Sequence, residues 1–212
     1  MLQYDRKNIS VISSGGVCLA FTNYETQQIR EALLEEARHC AVTLGMRKTS
    51  VEQLTQAAGI SKGSFYRFFA SKELLFFAVL EGIHGEVYKI AGQALRENCG
   101  DVPAERAAKA ILAACRKLSD TGAMSFIEND AEAILRRVPA EVKEAHYHDD
   151  EVHICQLLEE GGLAPYVEKE LAAATVRGLI LTVSHQEQIG PLYPKVLKTL
   201  VYGACKELFR AD

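Results

Sequence analysis

From Asn23 onward, apolar residues recur at steps of three and four. Ile29, Ala32, Leu33, Ala37, Cys40, Ala41 and Leu44 fall on one side of a helical wheel, and Arg30, Glu31, Glu35, Glu36 and Arg38 on the other. This is the pattern of an amphipathic helix, and Gly45 stands where such a helix ends. Thr49-Ser50-Val51-Glu52 then reads as a capping box, the Thr49 hydroxyl accepting from the Glu52 amide while Glu52 reaches back. A short second helix runs to Ala58 and stops at Gly59. Ser61 caps a third, carrying Phe65, Phe68 and Phe69. Ser71 caps a fourth, which begins Lys72-Glu73-Leu74-Leu75 and continues through Ile83.

Long helices with sparse breakers make up the rest. Pro103 and Pro139 fit the first turns of two of them. Gly161, Gly162 and Pro165 precede a helix from about Val167 to Gln188, and Gly190, Pro191 and Pro194 precede a last one ending near Arg210. No strand alternation is sustained and no long internal repeat is present. The predicted fold class is all-α. Residues 1–22 stand apart: Asn8–Ile12 is broken by Ser13-Ser14-Gly15-Gly16, and the apolar pieces are too short for the core of a secretory signal. They read as a flexible N-terminal arm, whose Arg6 and Lys7 suit a DNA groove.

The chain has 212 residues, 48% hydrophobic and 25% charged, ample for a buried core. No apolar run approaches the roughly 18 residues that span a bilayer, so no membrane role is expected. The net charge of −4 conceals an uneven distribution: residues 45–72 carry +4, residues 1–44 carry −1 and residues 73–212 carry −7. A basic island on an acidic body points to a local contact with a polyanion. The six cysteines are scattered with no CxxC pair, which excludes a zinc finger or a thioredoxin-like site. They read as small buried hydrophobes in a reducing cytoplasm.

The basic island coincides with two short helices joined by Ala58-Gly59-Ile60-Ser61, the turn of a helix-turn-helix. Val51, Leu54, Ala57, Ile60, Phe65 and Phe69 supply the packing between them. The second helix then offers Lys62, Ser64, Tyr66 and Arg67, cations and hydroxyls of the kind that read base edges in a major groove. Helix starts at Ser50, Ser61 and Lys72 present amides to phosphate oxygens. Gly63 allows close backbone approach, Tyr66 offers a phenolic donor, and Lys48 and Lys72 flank the unit with charge. The candidate DNA-contacting set is therefore Lys48, Thr49, Ser50, Ser61, Lys62, Gly63, Ser64, Tyr66, Arg67 and Lys72.

The run from Thr49 to Leu75, with AAGISKGSFY and FASKELL in register, closely resembles the N-terminal DNA-binding domain of the TetR family. The helix from Glu25 to Leu44, with its Gly45, is similar to that family's first helix, so the resemblance covers roughly residues 25–80. It implies a three-helix DNA-binding domain over residues 23–70. The helical domain at residues 71–212 is then one that binds a small-molecule effector and forms a homodimer through the last two helices. The function implied is a cytoplasmic, ligand-responsive transcriptional repressor, released from a pseudo-palindromic double-stranded operator by the effector. Lys62, Ser64 and Arg67 fall at base-reading or groove-lining positions, and Ser50, Gly63, Tyr66 and Lys72 at phosphate contacts. Two departures from the family pattern are a threonine at Thr55, whose hydroxyl must bond the Val51 carbonyl or stay exposed, and an aromatic ring at Phe68, reader or core.

Apolar and small residues on the last two helices, among them Leu171, Gly178, Leu181, Leu197, Leu200 and Val201, suit a bundle between two copies. His146, Asp150 and His153 fall on one helical face at metal-ligand spacing, which admits a metal-dependent hydrolase as an alternative. A solvated or interface face is the simpler reading, and no metal, cofactor or catalytic residue is expected. His185 reads as a core or interface histidine. A helical protein-interaction module is the remaining alternative; no enzyme motif is present.

Overall fold

The computed structural model describes residues 21–209. Among them every regular element is helical. The N-terminal arm lies outside the described residues except for Phe21 and Thr22. The chain divides into two compact units, residues 1–81 with 129–138, and residues 82–128 with 139–212.

The first unit opens with α1 (Asn23–Thr43). Thr22 caps it by accepting from the Glu25 amide, and the Glu25 carboxylate accepts in return from the Thr22 amide at 2.8 Å. Leu33, Ala37, Cys40 and Ala41 are its buried stripe, as the periodicity predicts. Gly45 ends the helix at φ +79°, its amide donating to the Cys40 carbonyl at 2.8 Å. The next helix, α2 (Val51–Ala57), is capped one residue later than expected. Ser50 and Gln53 form the capping box, while the buried Thr49 hydroxyl donates to the Gly45 carbonyl at 2.8 Å. Gly59 turns the chain at φ +67°, and Ser61 caps α3 (Lys62–Phe65). This third helix is a single turn; Phe68 and Phe69 lie past its end and pack into the core, which settles Phe68 as a core residue. α4 (Lys72–Glu97) begins with the Leu74 amide donating to the Ser71 hydroxyl and runs well beyond Ile83. The division between the units falls within it.

The second unit contains α5 (Pro103–Asp120), α6 (Ala123–Phe126), α8 (Ala140–Glu160), α9 (Lys169–Leu181), α10 (Gln186–Ile189) and α11 (Tyr193–Leu208). Pro139 is the N-cap of α8 rather than its first residue. The helix expected from Val167 to Gln188 is broken: α9 ends at Leu181 and a 3-10 turn (Thr182–His185) leads into α10. α5 buries Ala107, Ala108, Ala110, Ile111, Ala114, Cys115 and Leu118, a face of small side chains that lets a neighbour approach closely. Leu197, Val201, Cys205 and Leu208 form the matching stripe of α11. A π-helical turn (Ile127–Ala131) and α7 (Glu132–Leu135), which carry the chain from α6 toward α8, were not foreseen from the sequence. Residues 129–138 pack in the first unit.

Candidate nucleic-acid interface

The turn between α1 and α2 is held from inside. Lys72 projects its ammonium back to it, donating to the carbonyls of Met46 at 2.8 Å and Thr49 at 2.7 Å. Asp130, only 2% exposed, accepts from the Met46 amide at 2.7 Å. Its other oxygen stands 3.8 Å from the Arg47 guanidinium. A side chain at Gly45 would place its Cβ 2.8 Å from the Asp130 carboxylate, so glycine is required there by both its dihedral angle and its neighbour. Nearby, Arg137 pairs with Glu73 at 2.7 Å. Partial burial works to raise the Glu73 pKa, yet that guanidinium and the helix amides outweigh it and hold the carboxyl below its ordinary value.

On this support the predicted contact residues occupy distinct settings. Lys48, Lys62, Gly63, Tyr66 and Arg67 are exposed, and Ser64 is half-buried. Tyr66 turns outward, 52% exposed, with its ring edge-on to Phe65. The Arg67 guanidinium lies 5.3 Å from the Phe21 ring centroid, leaving its N–H groups at the rim of the aromatic cluster. Lys62 is paired with Glu52, an exposed acid on α2, and the contact lowers the Glu52 pKa and raises that of Lys62. Ser61 and Ser64 share a hydrogen bond between their hydroxyls at 2.9 Å.

Thr49 is buried and serves the turn throughout: its hydroxyl donates to the Gly45 carbonyl, its amide to the Met46 carbonyl at 3.2 Å, and its carbonyl accepts from Lys72. Ser50 holds the α2 cap, and Lys72, half-buried, spends two of its three N–H donors on carbonyls. The Thr55 hydroxyl bonds the Val51 carbonyl at 2.9 Å, the first of the two outcomes its position allowed. Asp130 is the residue that sequence reasoning missed. Nothing in the local pattern around it distinguishes a buried acceptor from the surface acids Glu128 and Glu132.

The second unit holds a small apolar cavity of about 50 Å3, open to solvent on one side. Val87, Tyr88, Ala91, Ile111, Leu157 and Val176 are among its walls. Two residues of the α8 face suspected of metal ligation are described. His146 is buried against His84, rather than solvated, and His153 stacks on Tyr88. The Asp150 side chain lies outside the described residues. His185 is exposed on the 3-10 turn.

Comparison with known proteins finds likenesses to part of the first unit and to the fold. Residues 33–79 match the model of the bacterial regulatory proteins of the tetR family. An HTH-type transcriptional repressor of Mycobacterium tuberculosis is 40% identical over 50 residues, 24% of this chain and 27% of that protein. An uncharacterized HTH-type transcriptional regulator of Bacillus subtilis is 32% identical over 69 residues, 32% of this chain and 35% of that protein. The aligned stretches thus span about a quarter and a third of these relatives' lengths. The fold extends further: a TetR transcriptional regulator from Rhodococcus sp. RHA1 superposes with a TM-score of 0.61 at 18% identity, over 85% of this chain and 95% of that one. The glycine-turned helix pair bearing exposed cations thus lies within the segment, residues 33–79, that matches the tetR family of bacterial regulatory proteins, and the all-helical fold is shared with the Rhodococcus regulator.

Proposed function

We propose that the chain is a dimeric, ligand-responsive transcriptional repressor of the cytoplasm that reads DNA with α3 and its flanks. The observation that carries this reading is the outward pair Tyr66 and Arg67 after α3, together with Lys48 exposed on the α1–α2 turn that Lys72 and Asp130 brace from within. Arg67 follows a short helix whose start can dock on phosphate, and its guanidinium suits a bidentate contact with guanine O6 and N7. Lys48 is exposed just before α2, and its ammonium suits a contact with a backbone phosphate. Division of labour between them is testable on a sequence-selected DNA pool. Arg67→Ala is expected to relax base preference at one position by about 1–3 kcal/mol, whereas Lys48→Ala weakens all sequences alike and lowers the salt slope by about one. Indistinguishable behaviour of the two variants would reject the assignment. Lys72→Ala is a poor probe of phosphate contact, because it also releases the carbonyls of Met46 and Thr49.

The apolar cavity of the second unit supports a hydrophobic effector, since its walls offer contact area and few directional hydrogen bonds. By linkage, an effector that favours a dimer unable to engage DNA lowers operator affinity by the factor through which DNA lowers effector affinity.

A further inference from the structure

In the second unit α4 and α8 carry two ring stacks beside the aliphatic walls of the cavity. His84 on α4 and His146 on α8 stack with centroids 5.0 Å apart and planes inclined by 21°. Next along α4, Tyr88 stacks on His153 at 5.0 Å and 5°. His146 is 5% exposed, an unusual depth for an imidazole whose packing an apolar ring would serve at less cost. Glu81 stands one turn before His84 on the same uninterrupted helix. One ligand atom from each of Glu81, His84 and His146 lies within 4.8 Å of the other two.

We propose that Glu81, His84 and His146 bind a zinc ion. Two imidazole nitrogens and a carboxylate oxygen are the donor set of an open tetrahedral zinc site, whose fourth position is left for water or an incoming group. Magnesium and calcium are disfavoured, because both prefer all-oxygen shells. Zinc bonds of ~2.0–2.2 Å require donors ~3.3 Å apart in a tetrahedron, so small side-chain rotations close the site from its present spacing. Glu81 and His84, three residues apart, share one face of α4, and His146 completes the set from α8. The bound ion would staple these two helices beside the apolar cavity.

The test uses the full chain, freed of metal and titrated with zinc alone. The wild type is expected to retain one zinc per chain after gel filtration. His84→Phe and His146→Phe, which keep a ring in each stack, are expected to lose it with helicity unchanged. A wild type that holds no zinc overturns the site, and so does zinc retained by both variants. Should either variant lose helicity, Glu81→Gln decides, since this residue is half-buried and the change isosteric. Zinc affinity reduced more than about tenfold supports the site, and unchanged affinity overturns it. None of these readouts involves DNA, so they stand or fall apart from the proposed repressor function.

Discussion

A thiol packed among alkyl groups loses the water that stabilises its anion. Burial pushes the pKa of both Cys115 and Cys205 up to about 12. Because the raised value belongs to the folded state, the neutral thiols add stability that is fully present below about pH 9. It fades as pH rises and the unfolded thiols ionise, by about 1.4 kcal/mol per unit for each thiol until pH 12. The reactivity consequence is simpler to measure. Iodoacetamide at pH 8 is expected to label the exposed Cys99 readily and to leave Cys115 and Cys205 unmodified until urea unfolds the chain. Labelling of all three at equal rates in the native protein would contradict their burial.

At the scale of elements, the turn after α1 is the joint on which the first unit depends. Asp130→Ala leaves the Met46 amide buried without its acceptor, a loss of about 1–3 kcal/mol in unfolding free energy. Asp130→Asn keeps an oxygen there and is expected to recover part of that loss in urea denaturation. The helices and glycine turns were legible in the sequence because their causes are local: the α1 stripe, Gly45, Gly59 and the Ser61 cap each act within a few residues. The shifted α2 cap had a local cause as well. Thr49 with Glu52 and Ser50 with Gln53 both satisfy the capping rule, and burial of the Thr49 hydroxyl decides the frame. Asp130 was not legible, since its partner lies 84 residues away. His84, set between Ile83 and Gly85 on α4, was likewise hidden, since only the approach of α8 gives it meaning.

For the whole molecule, the exposed leucines of the second unit set the expected assembly. Leu171 and Leu181 on α9 and Leu200 on α11 are each more than 40% exposed. Covering them with the same helices of a second copy buries apolar area on both sides, and a two-fold pair suits a palindromic operator. Leu171→Glu combined with Leu200→Glu is expected to convert a dimer into monomers in sedimentation and to weaken operator binding with it. A dimer that survives both charges would place the interface elsewhere. The Glu52–Lys62 pair bears on how such an assembly would meet DNA. The protein already supplies this lysine with its own counterion, one in each copy. A phosphate docking there evicts a tethered carboxylate instead of liberating a dissolved salt ion, so the entropy gained on contact is smaller than the number of cations suggests.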